Sequence, residues 1–281
     1  MQRVEGRTAL VTGASRGIGK ACAVALAHAG YDVAITARTV HEGEAHEHSS
    51  TVAKSDTRPL PGSLATTATE IESAGSRALP IAADLLDRSQ VGAAVATVLE
   101  RWGHIDVLLN NGRYIGPGHM DRLLDTPLDL LDRHLEANVM APLTCIRLVL
   151  PSMLERGSGL IVNVTSDVAW SDPPSAAGDG GWGLGYAISK GALHRVAGVL
   201  AHEVAGTGVS IVNLSPGFVA TERIAIDMAE FGFDASKGAP PSLIGDAVAW
   251  LATSGEAGAW NGKTFVAQDE MRQRSGGAIT T

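Results

Sequence analysis

Tyr186 and Lys190 stand four residues apart in Leu184-Gly185-Tyr186-Ala187-Ile188-Ser189-Lys190, a spacing that stacks both side chains on one face of a helix. A free phenol has a pKa near 10 and exchanges protons poorly at neutral pH. Lowering that value by about three units takes about 4 kcal/mol of preferential stabilisation of the phenolate. One ammonium about 4 Å away supplies about that much at an effective dielectric near 20. The pair therefore suits a general acid that protonates a carbonyl oxygen while hydride arrives at the carbon. The bland alternative is a packed tyrosine beside a surface lysine.

A hydride source is implied by a second group of residues. Thr12-Gly13-Ala14-Ser15-Arg16-Gly17-Ile18-Gly19 follows the apolar run Thr8–Val11 and opens a helical pattern from Lys20. Glycines between a strand and a helix let backbone N–H groups approach a pyrophosphate, and the helix presents its positive end to the anion. In a chain with 33 glycines the G-x3-G-x-G spacing alone is weak; its position between strand and helix makes it informative. At the end of the second strand pattern, where an acid would hold the ribose hydroxyls of NAD, the chain has Ala37 followed by Arg38. With Arg16 in the glycine loop, two guanidiniums offer forked contacts to a 2′-phosphate. The cofactor expected is NADP(H).

Those residues need a frame to position them. Strands are predicted at 8–12, 32–37, 77–82, 106–110, 159–165, 209–214 and 264–267, and helices at 17–29, 63–74, 88–102, 127–156, 186–206 and 242–253. Such βαβ alternation predicts an α/β Rossmann fold, a doubly wound parallel sheet of about seven strands with helices on both faces. Residues 1–281 read as a single dinucleotide-binding and catalytic domain, with 268–281 as a polar, mobile tail. Pro142 interrupts helix 127–156, is expected to kink it, and denies the Asn138 carbonyl its usual partner. A carbonyl freed in this way can hold a water that connects Lys190 to solvent.

Three stretches break the rhythm. Residues 39–62 carry His41, His46 and His48 among glutamates, and read as a solvated surface insertion because no metal-ligand spacing fits. Residues 167–185, with Trp170 and Trp182, and residues 217–241, with Phe218, Met228 and Phe233, follow strands and are expected to line the substrate pocket. A net charge of −8 argues against a general nucleic-acid binder. The sequence shows no apolar run of the length a membrane span needs and no signal-peptide core. Two cysteines suggest no disulfide framework, which fits a cytoplasmic protein.

Taken together, these motifs resemble the short-chain dehydrogenase/reductase family over nearly the whole chain. The resemblance implies catalytic roles for Tyr186 and Lys190, for Ser166 at the end of the fifth strand (Ser171 and Ser175 being fallbacks), and for Asn138 in the fourth long helix. It also implies cofactor contacts from Gly13, Ser15, Arg16, Gly17, Ile18, Gly19, Arg38, Asp84, Leu85, Asn110, Gly112, Pro216, Gly217, Val219 and Thr221, besides Tyr186 and Lys190. The activity implied is NADP(H)-dependent interconversion of a small-molecule carbonyl and an alcohol, by a homotetramer or homodimer. The alternatives are an NAD-preferring dehydrogenase, a non-catalytic nucleotide-binding regulator, and an epimerase or dehydratase, for which little chain remains after Pro216. Where the family has Asn-Asn-Ala-Gly, this chain has Asn110-Asn111-Gly112-Arg113. Arg113 is expected to pair with a nearby carboxylate; alternatively Arg113 and Tyr114 reach the mouth of the site and read an anionic or polar substrate. Trp170, Trp182 and Phe218 are the remaining substrate-contact candidates.

Overall fold

In the computed structural model, which describes residues 6–227, 231–232 and 234–274, seven parallel strands form one sheet. They are β1 (Thr8–Thr12), β2 (Asp32–Ala37), β3 (Ala78–Ala82), β4 (Val107–Asn110), β5 (Gly159–Val164), β6 (Val209–Ser215) and β7 (Thr264–Val266). Their order across the sheet is β3-β2-β1-β4-β5-β6-β7. The chain order reverses between β1 and β4, which opens a crevice at the carboxyl ends of these strands. Every residue of β1 is buried, as a parallel strand covered on both faces requires.

Alternation divides the core into two. Ala9 and Val11 of β1 face one cluster, completed by α1 (Gly17–His28), α2 (Leu64–Ser73) and α8 (Pro241–Thr253). Leu10 faces the other, built from α3 (Arg88–Trp102), α5 (Ala141–Arg156) and α6 (Leu184–Glu203). Polar caps fix two of the helix starts. Ser63 accepts from Thr66 N at the head of α2, and Asp87 accepts from Ser89 N and Gln90 N at the head of α3.

Pro142 coincides with a change of helical period. Between α4 (Leu128–Leu135) and α5 the residues Glu136–Met140 form a π-helical turn, in which Ala141 N–H donates to Glu136 O. The proline enters in the first turn of α5, so its missing N–H falls where the helix changes period, a local distortion of the kind that bends helices. The combined helix Leu128–Arg156 is 29 residues long and apolar enough to cross a bilayer by length and composition. Here α5 packs on the sheet and against α3.

The C-terminal segment departs from expectation. Residues 267–274 are not a loose tail: Ala267–Arg274 form α9, and the Gln268 amide donates to the carbonyls of Pro216 and Phe218 at 2.9 Å. Arg274 lies over the Trp250 ring at 4.0 Å. The rest of the expected tail, 275–281, and two residues of the expected pocket wall, Met228 and Phe233, lie outside the described residues. Between β6 and α8 the short helix α7 (Glu222–Asp227) crosses the carboxyl edge of the sheet.

Candidate active site

A cleft of about 240 Å³ lies along that edge, with the glycine loop at one end and Tyr186 and Lys190 at the other. Gly13, Ser15, Gly17, Ile18 and Gly19 line the loop end. A Cβ on Gly19 would stand 2.2 Å from Gly13 O, so the turn that bares these N–H groups admits no side chain there. Arg16, which caps α1, places no side-chain acceptor on the helix N-terminus, leaving its donors for a ligand. Asn111 holds the loop from behind, donating from Nδ2 to Thr12 O at 2.9 Å and Gly13 O at 3.1 Å. Sequence reasoning missed this residue; its signal was the paired asparagine following β4.

Ala37 and Arg38 line the cleft where β2 ends, and Asp84, Leu85 and Gly112 line it after β3 and β4. Arg38 has no hydrogen-bond partner among the described residues. Arg16 lines the cleft too, but its guanidinium is already engaged. It donates to Gly62 O at 2.7 Å, Pro61 O at 2.8 Å and Leu60 O at 3.1 Å. Burial lowers the Arg16 pKa, which the nearby Glu222 and Glu42 partly offset.

Those carbonyls belong to the stretch 39–62, which is exposed along much of its length, as expected, but also reaches into the cleft. His48, Ser49, Ser50 and Leu60 are buried, and Glu44, His46, His48, Arg58 and Leu60 line the cleft. The stretch forms a strap tied at several points. Asp121 accepts from Val52 N at 3.0 Å, Met120 N donates to Ser50 O at 2.9 Å, and Arg223 of α7 donates to Ser50 Oγ at 2.8 Å. Gly62, at φ +100°, sits so near the glycine loop that a Cβ would be 2.6 Å from Ser15 O. Among the described residues no group of three or more His, Cys, Asp or Glu side chains could hold a metal.

At the other end, α6 carries Tyr186 and Lys190 into the cleft. Lys190 is buried, and its Nζ donates to Val164 O at 2.8 Å. Burial, helped by the positive charge of Arg113, pushes its pKa down to about 7. The expected ion pair of Arg113 is absent, since no carboxylate reaches it among the described residues. Instead its Nη1 donates to Tyr114 O at 3.0 Å, and its guanidinium carbon lies 5.5 Å from the Tyr186 ring centroid. The His119 ring packs 4.4 Å from the same tyrosine; burial, and then Arg113, hold its pKa well below the usual imidazole value. Neither a lone histidine nor an arginine in a glycine-rich turn has a spacing that reveals this grouping.

Asn138 is a buried bracket and does not line the cleft. Its Oδ1 accepts from Tyr114 N at 2.6 Å and its Nδ2 donates to Ser189 Oγ at 2.9 Å. The Ser189 hydroxyl in turn donates to Tyr186 O. One amide thus joins the loop of Arg113 and Tyr114, both lining the cleft, to the helix of Tyr186 and Lys190. The π-helical turn carries that amide, as such turns often do at functional sites.

Several expected residues lie elsewhere. Ser166 follows β5, but its hydroxyl donates to Asp167 Oδ1 at 2.9 Å and does not line the cleft. Ser171 is exposed, and Ser175 bonds Asp179 O in an outer loop. Trp170 is half exposed against His194, with ring centroids 4.8 Å apart; neither it nor Trp182 nor Phe218 lines the cleft. Asn110 donates to Asn163 Oδ1 at 2.9 Å beneath the floor. Pro216 and Thr221 line the cleft, whereas Gly217 and Val219 do not.

Comparison with known proteins places this arrangement. A family model described as short chain dehydrogenase matches residues 7–60 and 52–227. A short chain dehydrogenase of Pseudocercospora fijiensis is 36% identical over 80% of this chain, which spans 63% of that protein. A 3-oxoacyl-[acyl-carrier-protein] reductase of Synechocystis is 30% identical, over 94% of this chain and 96% of the relative. Among solved structures, a metagenomic short-chain oxidoreductase in complex with NADP superposes with a TM-score of 0.71 at 27% identity, covering 94% of this chain and 97% of that one.

Proposed function

Since the chain belongs to the short-chain dehydrogenase family and is an oxidoreductase, we propose that it interconverts a carbonyl and an alcohol with NADP(H). One observation carries the reading: Tyr186 and Lys190 share a single cleft with the glycine loop. The tight turn that admits no Cβ on Gly19 keeps backbone N–H groups at the lining of the cleft, which fits a dinucleotide pyrophosphate. When bound, the reduced nicotinamide supplies the hydride.

Tyr186 donates the hydroxyl proton to the carbonyl oxygen, and the phenolate that develops is stabilised by the Lys190 ammonium one helical turn along. Lys190 contributes in its protonated form, which prevails below about pH 7 before ligands enter. Ser166, one residue beyond the cleft-lining Thr165, turns its hydroxyl from Asp167 to the carbonyl oxygen. Asn138 is a positioning residue for the Tyr186 helix. Arg38, with Ala37 in place of an acid, receives the 2′-phosphate, while Arg16 keeps the strap closed. The exposed Leu128, Leu148, Leu184 and Val199 on α4 to α6 form the face on which copies associate, as a homotetramer or homodimer.

The test is loss of NADPH absorbance on adding a panel of ketones and aldehydes, repeated with NADH. Turnover with kcat/KM at least about tenfold higher for NADPH is expected. Equal or better use of NADH overturns the cofactor assignment, and no turnover of any carbonyl overturns the reaction.

A further inference from the structure

Arg113 is a cation in the wrong place for the cofactor's phosphates. They belong against Gly13–Gly19, whereas the guanidinium carbon of Arg113 lies 5.5 Å from the Tyr186 ring centroid. The guanidinium carries five N–H donors, and the one hydrogen bond it makes among the described residues is to the neighbouring carbonyl, Tyr114 O. Among the described residues no carboxylate neutralises it there. A second cation, the buried Lys190, stands close enough to be disfavoured by it. A half-buried guanidinium with donors to spare and a like charge nearby is a costly arrangement unless an anion completes it.

We propose that Arg113 is the specificity-determining residue of the site and holds a carboxylate of the substrate, which is therefore a short oxo acid, not a neutral ketone. The inference rests on the carbonyl-reduction reading and deepens it. Geometry limits the substrate further. The carbonyl oxygen must reach the Tyr186 hydroxyl while the carboxylate meets a guanidinium over the same ring, so the two groups are only a few bonds apart. In the reduction, hydride from the reduced nicotinamide forms the new C–H bond, and the Tyr186 proton forms the new O–H bond as the carbonyl π bond breaks. The carboxylate is unchanged, and the product is a hydroxy acid. The backbone bracket from Asn138 to Tyr114 N fixes the loop that carries Arg113, so the anchor and the proton donor keep a set separation. A guanidinium gives a forked match to a carboxylate that an ammonium does not.

The experiment compares 2-oxobutyrate and acetoacetate with butan-2-one, using NADPH-loaded wild type, Arg113→Met and Arg113→Lys. Arg113→Met is expected to lower kcat/KM at least about 100-fold for the oxo acids and less than about threefold for butan-2-one. Arg113→Lys is expected to recover part of the loss. Equal losses on acids and ketone, or no loss on either, overturn the assignment. If Arg113→Met fails to fold, Arg113→Lys and the wild type's own preference decide, and a wild type that favours butan-2-one overturns it. Calorimetric titration of the NADPH-loaded protein separates the two readings. Binding of 2-oxobutyrate that depends on Arg113, with no NADPH consumed, supports the anchor and overturns the reductase reading. Reduction of butan-2-one without Arg113-dependent binding of 2-oxobutyrate does the reverse.

Discussion

Two long stretches interrupt the alternation of strand and helix, and they do opposite things. Residues 39–62 bend back over the cleft and bury His48, Ser49, Ser50 and Leu60. Residues 171–176 stay exposed, and the segment around them closes on itself through a bridge between Ala177 and Gly181. The first stretch is rich in His and Glu and the second in Gly, Pro and Ser, so composition would assign them the other way round. What decides is where their hydrogen-bond partners lie. The strap gives three carbonyls to Arg16, and Asp121 and Arg223 hold it at two further points. Between its ends the outer loop is tied to the body by an exposed ion pair of Arg122 with Asp179, while Gly183 N donates to His119 O where the stretch joins α6.

Mutation can break that contrast. Arg16→Ala removes a half-buried cation from three carbonyls and is expected to cost about 3 kcal/mol, read by urea unfolding, with faster proteolysis within 39–62. A loss under about 0.5 kcal/mol would make the strap as loosely held as the outer loop. Next comes Lys190, which measures how dry the strap and the floor keep the far end. Its pKa is lowered from 10.5 to about 7 by burial and by Arg113. Below about pH 7 both folded and unfolded chains hold the proton; between about 7 and 10.5 the unfolded chain holds more. Stability therefore rises with pH across that window, by up to about 2 kcal/mol from pH 7 to 9. Urea midpoints of wild type and Lys190→Met at the two pH values should show the rise in the wild type and its loss in the variant. The smallest effect belongs to the outer loop, where Arg122→Ala should change stability by less than about 0.5 kcal/mol.

The same contrast explains what the sequence makes legible. The strands β1 and β2 begin and end where the apolar runs do, because a buried parallel strand writes its burial directly into residue type. The glycine loop is legible for the same local reason, since a close approach that excludes a Cβ leaves only Gly19. The strap is not, because its fate depends on Arg16, Asp121 and Arg223, at separations of 44 to 173 residues along the chain. Arg113 is a case of the same kind: whether a carboxylate meets it is settled by packing, not by its neighbours. Pro142 signals a disturbance in the long helix, but its form, a π turn over Glu136–Met140, is not written in the spacing of the apolar residues. The polar residues after β7 look like a tail until Gln268 finds the carbonyls of Pro216 and Phe218.

The most direct measurement is turnover by Tyr186→Phe, with NADPH binding followed by fluorescence in parallel. The phenyl ring keeps the packing against His119 and Arg113 and removes only the hydroxyl. Carbonyl reduction should fall by at least about 10³-fold while NADPH affinity stays within about threefold of wild type. Reduction that survives the substitution would contradict the assignment of Tyr186 as proton donor, and with it the account of the cleft as a redox site built on Tyr186 and Lys190.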